Sequence, residues 1–444
     1  MPIEPKGVWR REGDTVYLCG TLGAAFDTWQ RARAAVSAAE AYSTQRLGLE
    51  EIEREMDRLE SEARAALAPG EKLLPRRSPG YGELPLALSR EILAKLDATK
   101  RLGVSVTDSE LLVPSKSVTA ICKVVAAPTV SVVIPTYNRA DAAVHCARSV
   151  LASDFAGGIE IVIVDDCSSK CIVADHVHRE LGDDPRIKVI RHERNKNTAA
   201  AHNTGGYAAR GKYIFFLDDD NELKTDVISK LVAVLERGEH GLVAPLAVNV
   251  TPEGEKTVWA KAFEFNRWTS VPKNADANVP YTDEYERGMS GRLIDSWYSP
   301  NGYMMPKAVF EQLDGFYEWF GMYMEESDIG LRTLEAGWKV AIVGNAVTWH
   351  RHYNDAGDPV MRRFATNTPR KAFLMSRNRL HFAWRHYTLL QTLSIMFVFA
   401  PLITARYLVM SVVRGWPKIG LGFVSGYLTG FFQVLFKLPV RWKR

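Results

Sequence analysis

The chain has 444 residues, of which 46% are hydrophobic and 24% are charged. This composition excludes a disordered or fibrous protein, and the length predicts one large domain with flanking pieces. The formal net charge of +4 is too small to indicate a nucleic-acid-binding protein, so we expect no nucleic-acid partner.

Residues 1–125 are predicted to form an N-terminal accessory region. A strand is expected at residues 15–18, a long helix at 28–67 and a second amphipathic helix near 86–102. Apolar positions in the long helix alternate steps of three and four, which favours packing on the rest of the protein over a free coiled coil. These positions are Leu49, Ile52, Met56, Leu59, Ala63 and Ala66.

The location of the protein is predicted from its N-terminus and its cysteines. The first residues lack the basic and apolar segments of a signal peptide, so we expect the N-terminal parts to stay in the cytosol. The five cysteines form no CxxC pair, which is typical of free thiols in a reducing compartment.

From residue 129 onward, short and largely β-branched runs alternate with helices. Such runs mark strands that are covered on both faces, and their alternation with helices predicts βαβ units. The fold class is therefore α/β, with a mainly parallel sheet flanked by helices. Strands are predicted at 130–134, 159–164, 187–190 and 213–217, and helices at 140–153 and 197–210.

The run Asp218-Asp219-Asp220 follows the fourth predicted strand. Three adjacent carboxylates repel one another, and a hard cation such as Mg²⁺ or Mn²⁺ would relieve that repulsion. The first and third side chains of a turn can converge, so Asp218 and Asp220 are the predicted ligand pair. A solvated turn with an acidic helix cap is the alternative interpretation.

Polar groups also follow the first and second predicted strands. Asp165 and Asp166 end the second strand, where a carboxylate can accept hydrogen bonds from a base or from ribose hydroxyls. Residues 135–139, Pro-Thr-Tyr-Asn-Arg, end the first strand and add a cation suited to phosphate. Each group could instead be a helix cap, but three polar strand ends together favour a nucleotide site.

A third acidic cluster, Glu325-Glu326-Ser327-Asp328, begins a predicted helix. Carboxylates there face the positive end of the helix dipole, and Asp328 can pair with Arg332 one turn later. This structural interpretation fits Asp328 well, but one helix start does not require three acids. A chemical role for Glu326 is therefore left open by the residues alone.

Residues 129–385 resemble family 2 glycosyltransferases, which have the Rossmann-like GT-A fold. The matching segments occur in family order at 133–139, 164–169, 203–205, 209–213, 216–221, 313–316, 324–332, 337–338 and 347–350. The resemblance implies an inverting transferase. It would move a sugar from a nucleoside diphosphate donor, in the first place a UDP- or dTDP-sugar, to an acceptor hydroxyl.

Roles for individual residues come from this resemblance. It implies Glu326 as the general base, with Glu325 and Asp328 as fallback candidates. It implies His350, rather than His352, as a further metal ligand or phosphate contact. The residues expected to contact the nucleotide-sugar are Pro135, Thr136, Tyr137, Arg139, Asp165, Asp166, His202, Asn203, Asp218 and Asp219.

The chain departs from the family pattern at two places. His202 stands where the family usually has arginine, which puts a phosphate or sugar contact in doubt. Glu325-Glu326 stands where the family usually has Glu-Asp, a milder change because both side chains are carboxylates.

Two uncharged runs, 388–405 and 419–436, lie near the C-terminus. Each is close to the lower length limit for crossing a bilayer, and basic residues and Trp416 at their edges favour membrane contact. A spanning or re-entrant hairpin, two interfacial helices and a buried dimerisation surface are the competing interpretations, and a homo-oligomer stays open. We predict a catalytic domain at 126–385 and membrane-associating helices at 386–444.

The predicted function is transfer of a sugar, at the cytoplasmic face of the membrane, to a lipid-linked or cell-surface glycan. Location rather than residues carries the acceptor part of this prediction. A metal-dependent nucleotidyl or phosphoryl transferase and an inactive GT-A scaffold are the alternatives, since both keep acidic strand ends.

Overall fold

The computed structural model describes residues 4–67, 71–82, 84–126, 128–351 and 368–441. The chain divides into two compact units, Met1–Ala127 and Pro128–Arg444. The three-part domain assignment made from the sequence stays a prediction.

The first unit contains a four-stranded antiparallel sheet in the order β1-β2-β6-β3. Its elements are β1 (Lys6–Glu12), β2 (Thr15–Thr21), α1 (Gly23–Ala34), α2 (Ala38–Ala65), β3 (Glu71–Leu73), α3 (Leu88–Leu96), α4 (Ala98–Leu102), β4 (Ser105–Val106), β5 (Leu112–Val113) and β6 (Ser117–Ala126). The long predicted helix is in fact two helices, because Ser37 caps a new one by accepting from the backbone N–H of Glu40. The second predicted helix is broken at Asp97, whose φ is 51°.

One face of α2 packs on this sheet, as its apolar spacing predicts. The central positions of the predicted seam are buried and its two ends are exposed. Met56 and Leu59 lie in one apolar cluster with Leu18 of β2. The helix therefore finds its partner within its own unit.

The second unit is built on a ten-stranded sheet with the main order β11-β18-β12-β17-β10-β7-β8-β9. Its strands are β7 (Val130–Thr136), β8 (Ile159–Asp165), β9 (Ile187–Arg191), β10 (Tyr213–Leu217), β11 (Asn221–Leu223), β12 (His240–Val250), β13 (Lys256–Val258), β16 (Leu293–Asp295), β17 (Gly302–Pro306) and β18 (Lys339–Arg351). A separate hairpin is formed by β14 (Ala262–Phe265) and β15 (Pro272–Ala275). Its first helices are α5 (Ala140–Leu151), α6 (Val173–Leu181), α7 (Thr198–Ala208), α8 (Val227–Leu235), α9 (Asp283–Met289), α10 (Lys307–Gln312) and α11 (Glu325–Glu335).

The four predicted strands are parallel neighbours in the order β10-β7-β8-β9. Apolar clusters lie on both faces of the sheet: one includes residues of α7 and α11, the other residues of α5, α6 and α8. The predicted α/β fold class, with helices flanking the sheet, is confirmed. Because the four strands are parallel, the polar groups that follow them lie along one edge.

Two strands outside the predicted set position the rest of that edge. β17 runs antiparallel to β10, so that Gly302 lies opposite Leu217 and the residues before it lie beside the acidic run. β18 continues to Arg351. It places His350 opposite Asn221 of β11 and Asn249 of β12.

The chain ends in a group of helices that pack on one another. They are α12 (Pro369–His386), α13 (Leu389–Ser394), a π-helical turn (Ile395–Phe399), α14 (Ala400–Val413) and α15 (Pro417–Arg441). Gly422, Gly426 and Gly430 of α15 lie against backbone carbonyls of α12; a Cβ on Gly426 would come within 2.2 Å of the carbonyl oxygen of Phe373. Small residues at this spacing allow the close approach of the two helices.

Candidate active site

The acidic run forms a turn between β10 and β11, and its three carboxylates have different surroundings. Asp219 is buried, where it accepts a hydrogen bond of 2.7 Å from the hydroxyl of Thr136 and pairs with Arg139. The side chains of Asp218 and Asp220 are 31% and 16% exposed. The first and third acids therefore face the open side of the turn, and the middle acid ties it to β7.

The charges in this turn are not balanced. Burial, the negative charge of Glu326 and that of Asp220 raise the pKa of Asp218 well above its usual value. Burial, opposed by Arg139, raises the pKa of Asp219 to about 7. Burial would also raise the pKa of Asp220, but His350 and Arg139 outweigh it and hold this pKa below its usual value. A further positive charge beside Asp218 would therefore stabilise the turn.

His350 lies at the edge of this turn and is held from two sides. Its Nδ1 lies 2.9 Å from the amide oxygen of Asn249, and its ring stacks on Trp259 with the ring centres 4.8 Å apart. Donation from Nδ1 to Asn249 leaves Nε2 directed at Asp220, 3.6 Å from Oδ1. Metal-binding histidines are commonly held in this way through their second nitrogen.

The fit of a divalent cation can be tested on this donor set. Across the described ranges, no three His, Cys, Asp or Glu side chains are arranged to hold a metal ion. The side-chain amide of Asn301 lies between the two outer carboxylates, 3.1 Å from Oδ2 of Asp218 and 3.2 Å from Oδ1 of Asp220. Carboxylate oxygens are nevertheless the donors that Mg²⁺ and Mn²⁺ favour, and the imidazole of His350 adds one nitrogen donor. The residue types fit, and their use as ligands stays a prediction.

The three base candidates at the start of α11 are separated by their surroundings. Asp328 is fully buried and accepts from Arg332, Arg385 and His386. Glu325 is buried, and its Oε2 has no hydrogen-bond partner in the described part of the chain. Glu326 is only partly buried and accepts from the backbone N–H of Asn301 at 2.9 Å. Glu326 is thus the one that a substrate can reach.

Glu326 also has a pKa suited to proton transfer. Burial and the neighbouring Glu325 raise the pKa of Glu326 to about 8, while the hydrogen bond from Asn301 acts in the opposite direction. A carboxylate with a pKa near neutrality can accept a proton and release it again.

Asn301 joins the base to the acidic turn and was not among the predicted catalytic, nucleotide-sugar-binding or metal-binding residues. Its backbone N–H binds Glu326, and its side chain lies between Asp218 and Asp220. Its φ of 74° is in the left-handed region, a conformation that asparagine tolerates and that is common at functional sites. The sequence Pro300-Asn301-Gly302 indicates a turn here, but not what that turn touches.

A second asparagine missed from the sequence holds the loop before Glu325. The side-chain nitrogen of Asn378, on α12, lies 2.9 Å from the carbonyl oxygen of Phe320, 2.8 Å from that of Met322 and 2.9 Å from that of Tyr323. The backbone at the end of this loop is strained, because Tyr323 has a φ of 67° and Met324 a φ of 73°. α12 therefore fixes the backbone from which the base projects.

Replacing Asn378 by alanine should lower kcat at least tenfold, because the carbonyl groups of the loop before Glu325 lose the side-chain amide that holds them and the strained loop can relax away from its position. The KM for the donor should change little, since the nucleotide is expected at the strand ends. Steady-state kinetics would show the split. Asn274→Ala, at an exposed position of β15, is the control. A kcat equal to that of the control would contradict this role.

Asp328 anchors α11 to α12 through His386. The imidazole Nε2 lies 2.9 Å from Oδ1 of Asp328, and Nδ1 lies 3.1 Å from Oε1 of Glu335. Burial would lower the pKa of His386, but its bonds to Asp328 and Glu335 outweigh burial and raise it. The cation is therefore stabilised by folding.

Replacing His386 by glutamine should destabilise the protein more at pH 6 than at pH 9. A histidine whose pKa is raised by folding contributes its stability below its unfolded pKa of about 6.5 and loses it as the pH rises through the folded pKa. At pH 6 the loss should be on the order of 3 kcal/mol, because a buried ion pair is broken. Urea unfolding at both pH values measures it, with the exposed His178→Gln as control. An equal loss at both pH values would count against the ion pair.

The two acids at the end of β8 both bond to other groups of the protein. Asp165 pairs with Arg191 at 2.5 Å and accepts from the backbone N–H of Ser168. Asp166 contacts His192 and accepts from the backbone N–H groups of two residues before α7. Both carboxylates thus have structural partners, and their contact with a nucleotide stays a prediction. Arg191, which was not predicted, adds a partly exposed cation at this end.

The other residues that were predicted to contact the nucleotide-sugar are exposed, bonded to the acidic turn, or bonded or buried elsewhere in the fold. Tyr137 is exposed at the end of β7, while Thr136 and Arg139 are bonded to the acidic turn. The side-chain amide of Asn203 donates to the backbone carbonyl of Phe316 and accepts from the backbone N–H of the same residue. Pro135 lies in the buried end of β7.

His202, the departure from the family pattern, lies beside Asp218. Its Nε2 is 3.8 Å from Oδ1 of Asp218, and its ring packs between Phe216 and Phe316. Neither ring nitrogen has a hydrogen-bond partner among the described residues. Burial lowers the pKa of His202 to about 3, so the ring is neutral. The chain has no arginine-like charge at this position.

Comparison with known proteins adds independent information. The family model "Glycosyl transferase family 2" matches residues 131–296. The succinoglycan biosynthesis protein ExoO of Rhizobium meliloti is 35% identical over 180 residues, 39% of this chain and 49% of that protein. An N-acetylglucosaminyltransferase of Bradyrhizobium sp. (strain ANU 289) is 30% identical over 108 residues, 24% of this chain and 71% of that protein.

Coverage is partial in most of these matches. The chain spans about half the length of the Rhizobium protein, and 34% of an uncharacterized glycosyltransferase of Haemophilus influenzae. Among solved structures, S. aureus TarS 1-349 in complex with UDP-GlcNAc is 16% identical with a TM-score of 0.43, covering 69% of this chain and 81% of that one. At that score the structural match carries no argument about this chain.

Proposed function

We propose that this chain, which belongs to glycosyl transferase family 2, is an inverting enzyme that moves a sugar from a nucleoside diphosphate sugar to a hydroxyl of a lipid-linked or cell-surface glycan. One observation supports this best. Asn301 contacts Glu326 through its backbone and Asp218 and Asp220 through its side chain, so that a base and an acidic turn share one cleft.

The leaving group would be bound at the acidic turn. Asp218, Asp220 and His350 would hold Mg²⁺ or Mn²⁺, whose chemistry here is to neutralise the charge that develops on the departing nucleoside diphosphate. Asp219 holds the turn against β7 through Thr136 and Arg139. Arg139 has a second contact, with Asp220, and its partly exposed guanidinium is suited to a phosphate oxygen.

Glu326 would take the proton from the acceptor hydroxyl while that oxygen attacks the anomeric carbon. The bond from Asn301 fixes its carboxylate, and burial together with Glu325 keeps the pKa of Glu326 high enough to accept a proton. Attack from the side opposite the diphosphate inverts the anomeric centre. Glu325 lies deeper and is not expected to touch the acceptor.

The C-terminal helices support association with a membrane surface. Residues Leu389–Val413 and Pro417–Phe436 are long and apolar enough to cross a membrane by length and composition. However, α15 packs along α12, which carries Arg370, Arg377 and Arg385. Charged residues beside the apolar helix favour an interfacial position over a full crossing. The cytoplasmic face is the side on which we place the active site.

The decisive experiment is to incubate the full chain with a panel of nucleotide-sugars, Mn²⁺ and a membrane extract. We expect release of a nucleoside diphosphate together with a glycosylated lipid or glycan product. Release of pyrophosphate without nucleoside diphosphate would instead indicate a nucleotidyl transferase. Absence of Mn²⁺-dependent nucleotide binding across the panel would indicate a scaffold that has kept only the fold.

A further inference from the structure

Arg379 of α12 is a buried cation that has no hydrogen-bonding or ion-pairing partner among the described residues. The residue is 8% exposed, and it makes no hydrogen bond or ion pair with any part of the chain that the structure describes. Other arginines of the same helix are satisfied: Arg377 donates to the carbonyl oxygen of Trp319, and Arg385 donates to Asp328. Arg379 is therefore an exception that α12 does not explain.

The side chain of Arg379 lines a small cavity where α12, α14 and α15 meet. Ser376 and Thr404 contribute hydroxyl groups, and Tyr407 and Phe423 contribute aromatic walls. The cavity holds about 10 Å³, which is close to the space that one water molecule or one oxygen atom needs. An anion could thus enter with a single oxygen while the rest of it stays outside.

An anionic oxygen is the group that this cavity lacks. Burial lowers the pKa of Arg379 below its usual value, yet a guanidinium stays protonated in proteins. An unpaired buried charge is unfavourable, and a hydrogen-bonded anion offsets that cost better than water does. Hydroxyl groups beside the guanidinium could donate to the same oxygen.

The surroundings of the cavity indicate where the anion comes from. The outer faces of α14 and α15 expose large apolar side chains, including Leu402, Val409, Leu421 and Phe432. Such a surface is suited to lipid chains. An anion presented at this place would therefore be joined to an apolar chain, as a lipid phosphate is.

We propose that the cavity at Arg379 binds one phosphate oxygen of a membrane lipid. Its lipid source rests on the membrane association proposed above, whereas its preference for an anionic oxygen does not. The site would orient the C-terminal helices on the membrane and, through α12, the loop that precedes α11.

The site can be tested with Arg379→Met, which keeps the length of the side chain and removes its charge. Arg406→Met, at an exposed position of α14, is the matched control. Vesicles of phosphatidylcholine alone, and of phosphatidylcholine with phosphatidylglycerol, would be sedimented with the full chain at low and high salt. We expect a preference for the anionic vesicles that survives high salt in wild type and in the control, and that falls about tenfold in Arg379→Met.

A second experiment, with soluble compounds, distinguishes a lipid phosphate from free phosphate as the ligand. Dihexanoyl-phosphatidylglycerol should raise the Tm of wild type and not that of Arg379→Met, while inorganic phosphate should do so weakly. An equal effect of both compounds on wild type would assign the site to free phosphate and overturn the lipid source. In the absence of any anion, Arg379→Met should be as stable as wild type or more stable, because the unpaired charge is gone.

Two further results would overturn the proposal. One is a salt-resistant anionic preference that Arg379→Met retains; the other is a loss of equal size in both variants, which would indicate surface charge alone. Failure of wild type to bind any vesicle would contradict membrane association instead, and the experiment with soluble compounds would still decide the site.

Discussion

Glu326→Gln should lower kcat by a factor of about 10² to 10⁴ and leave the affinity for the nucleotide-sugar within about twofold of wild type. Glutamine keeps the shape of the side chain and can still accept the hydrogen bond from the backbone N–H of Asn301. It cannot accept a proton from the acceptor hydroxyl. Donor binding by calorimetry and turnover by nucleoside diphosphate release would measure the two effects separately.

The variant Glu325→Gln tests whether the neighbouring carboxylate could be the base instead. Glu325 is buried and not expected to touch the acceptor, so an amide should replace it with little loss of turnover, and the loss of its charge should lower the pKa of Glu326. Glu326→Asp should recover part of the activity, because it restores a carboxylate at the same position. If Glu325→Gln were the inactive variant and Glu326→Gln the active one, the two roles would have to be exchanged.

The pH profile gives the same assignment a second check. A base must be deprotonated to act, so kcat/KM of wild type should rise with pH and level off above the pKa of Glu326, about 8. The residual activity of Glu326→Gln should lose this rise.

The part of the site that could be predicted from the sequence lies on local, buried strands. A short β-branched run gives a strand whose end is sharply defined, and parallel neighbours bring such ends together. The acidic turn after β10 could therefore be placed at the same edge of the sheet as the ends of β7 and β8 from their patterns alone. The role of Glu326 as the base could not be predicted in this way, since it came from the family resemblance and not from the spacing of the residues.

The residues that could not be predicted act through long-range pairing. Asn301 reaches the acidic turn only because β17 inserts antiparallel beside β10, and its own short turn gives no sign of that partner. Asn378 reaches the loop before α11 across more than fifty residues of sequence. Its pattern is that of any polar position on a helix. Contacts of this kind depend on the packed fold, which periodicity does not specify.

The helix α12 links two regions that the sequence separates. It was predicted as the end of the catalytic domain, while the apolar helices after it were predicted as a distinct membrane region. In the structure, Asn378 holds the loop before the base, and the glycine face of α15 packs on the same helix. A change at the apolar helices can therefore reach the loop before Glu326 through α12.

Asp220→Asn should raise the Mn²⁺ concentration needed for nucleotide-sugar binding at least tenfold and lower kcat/KM by at least 10². Asp220 faces the open side of the turn, and His350 and Arg139 keep its pKa below the usual value, so it carries a full negative charge near neutral pH. Asparagine has the same shape without that charge. Calorimetric titration of the nucleotide at a series of Mn²⁺ concentrations measures the change.

Asp219→Asn separates a ligand from a structural acid in the same turn. It breaks a buried contact with Thr136 and Arg139, so it should lower the free energy of unfolding while the Mn²⁺ dependence stays near that of wild type. Two variants one residue apart should thus fail in different assays. If Asp219→Asn shifted the Mn²⁺ dependence and Asp220→Asn did not, the first-and-third arrangement of the acidic turn would be wrong.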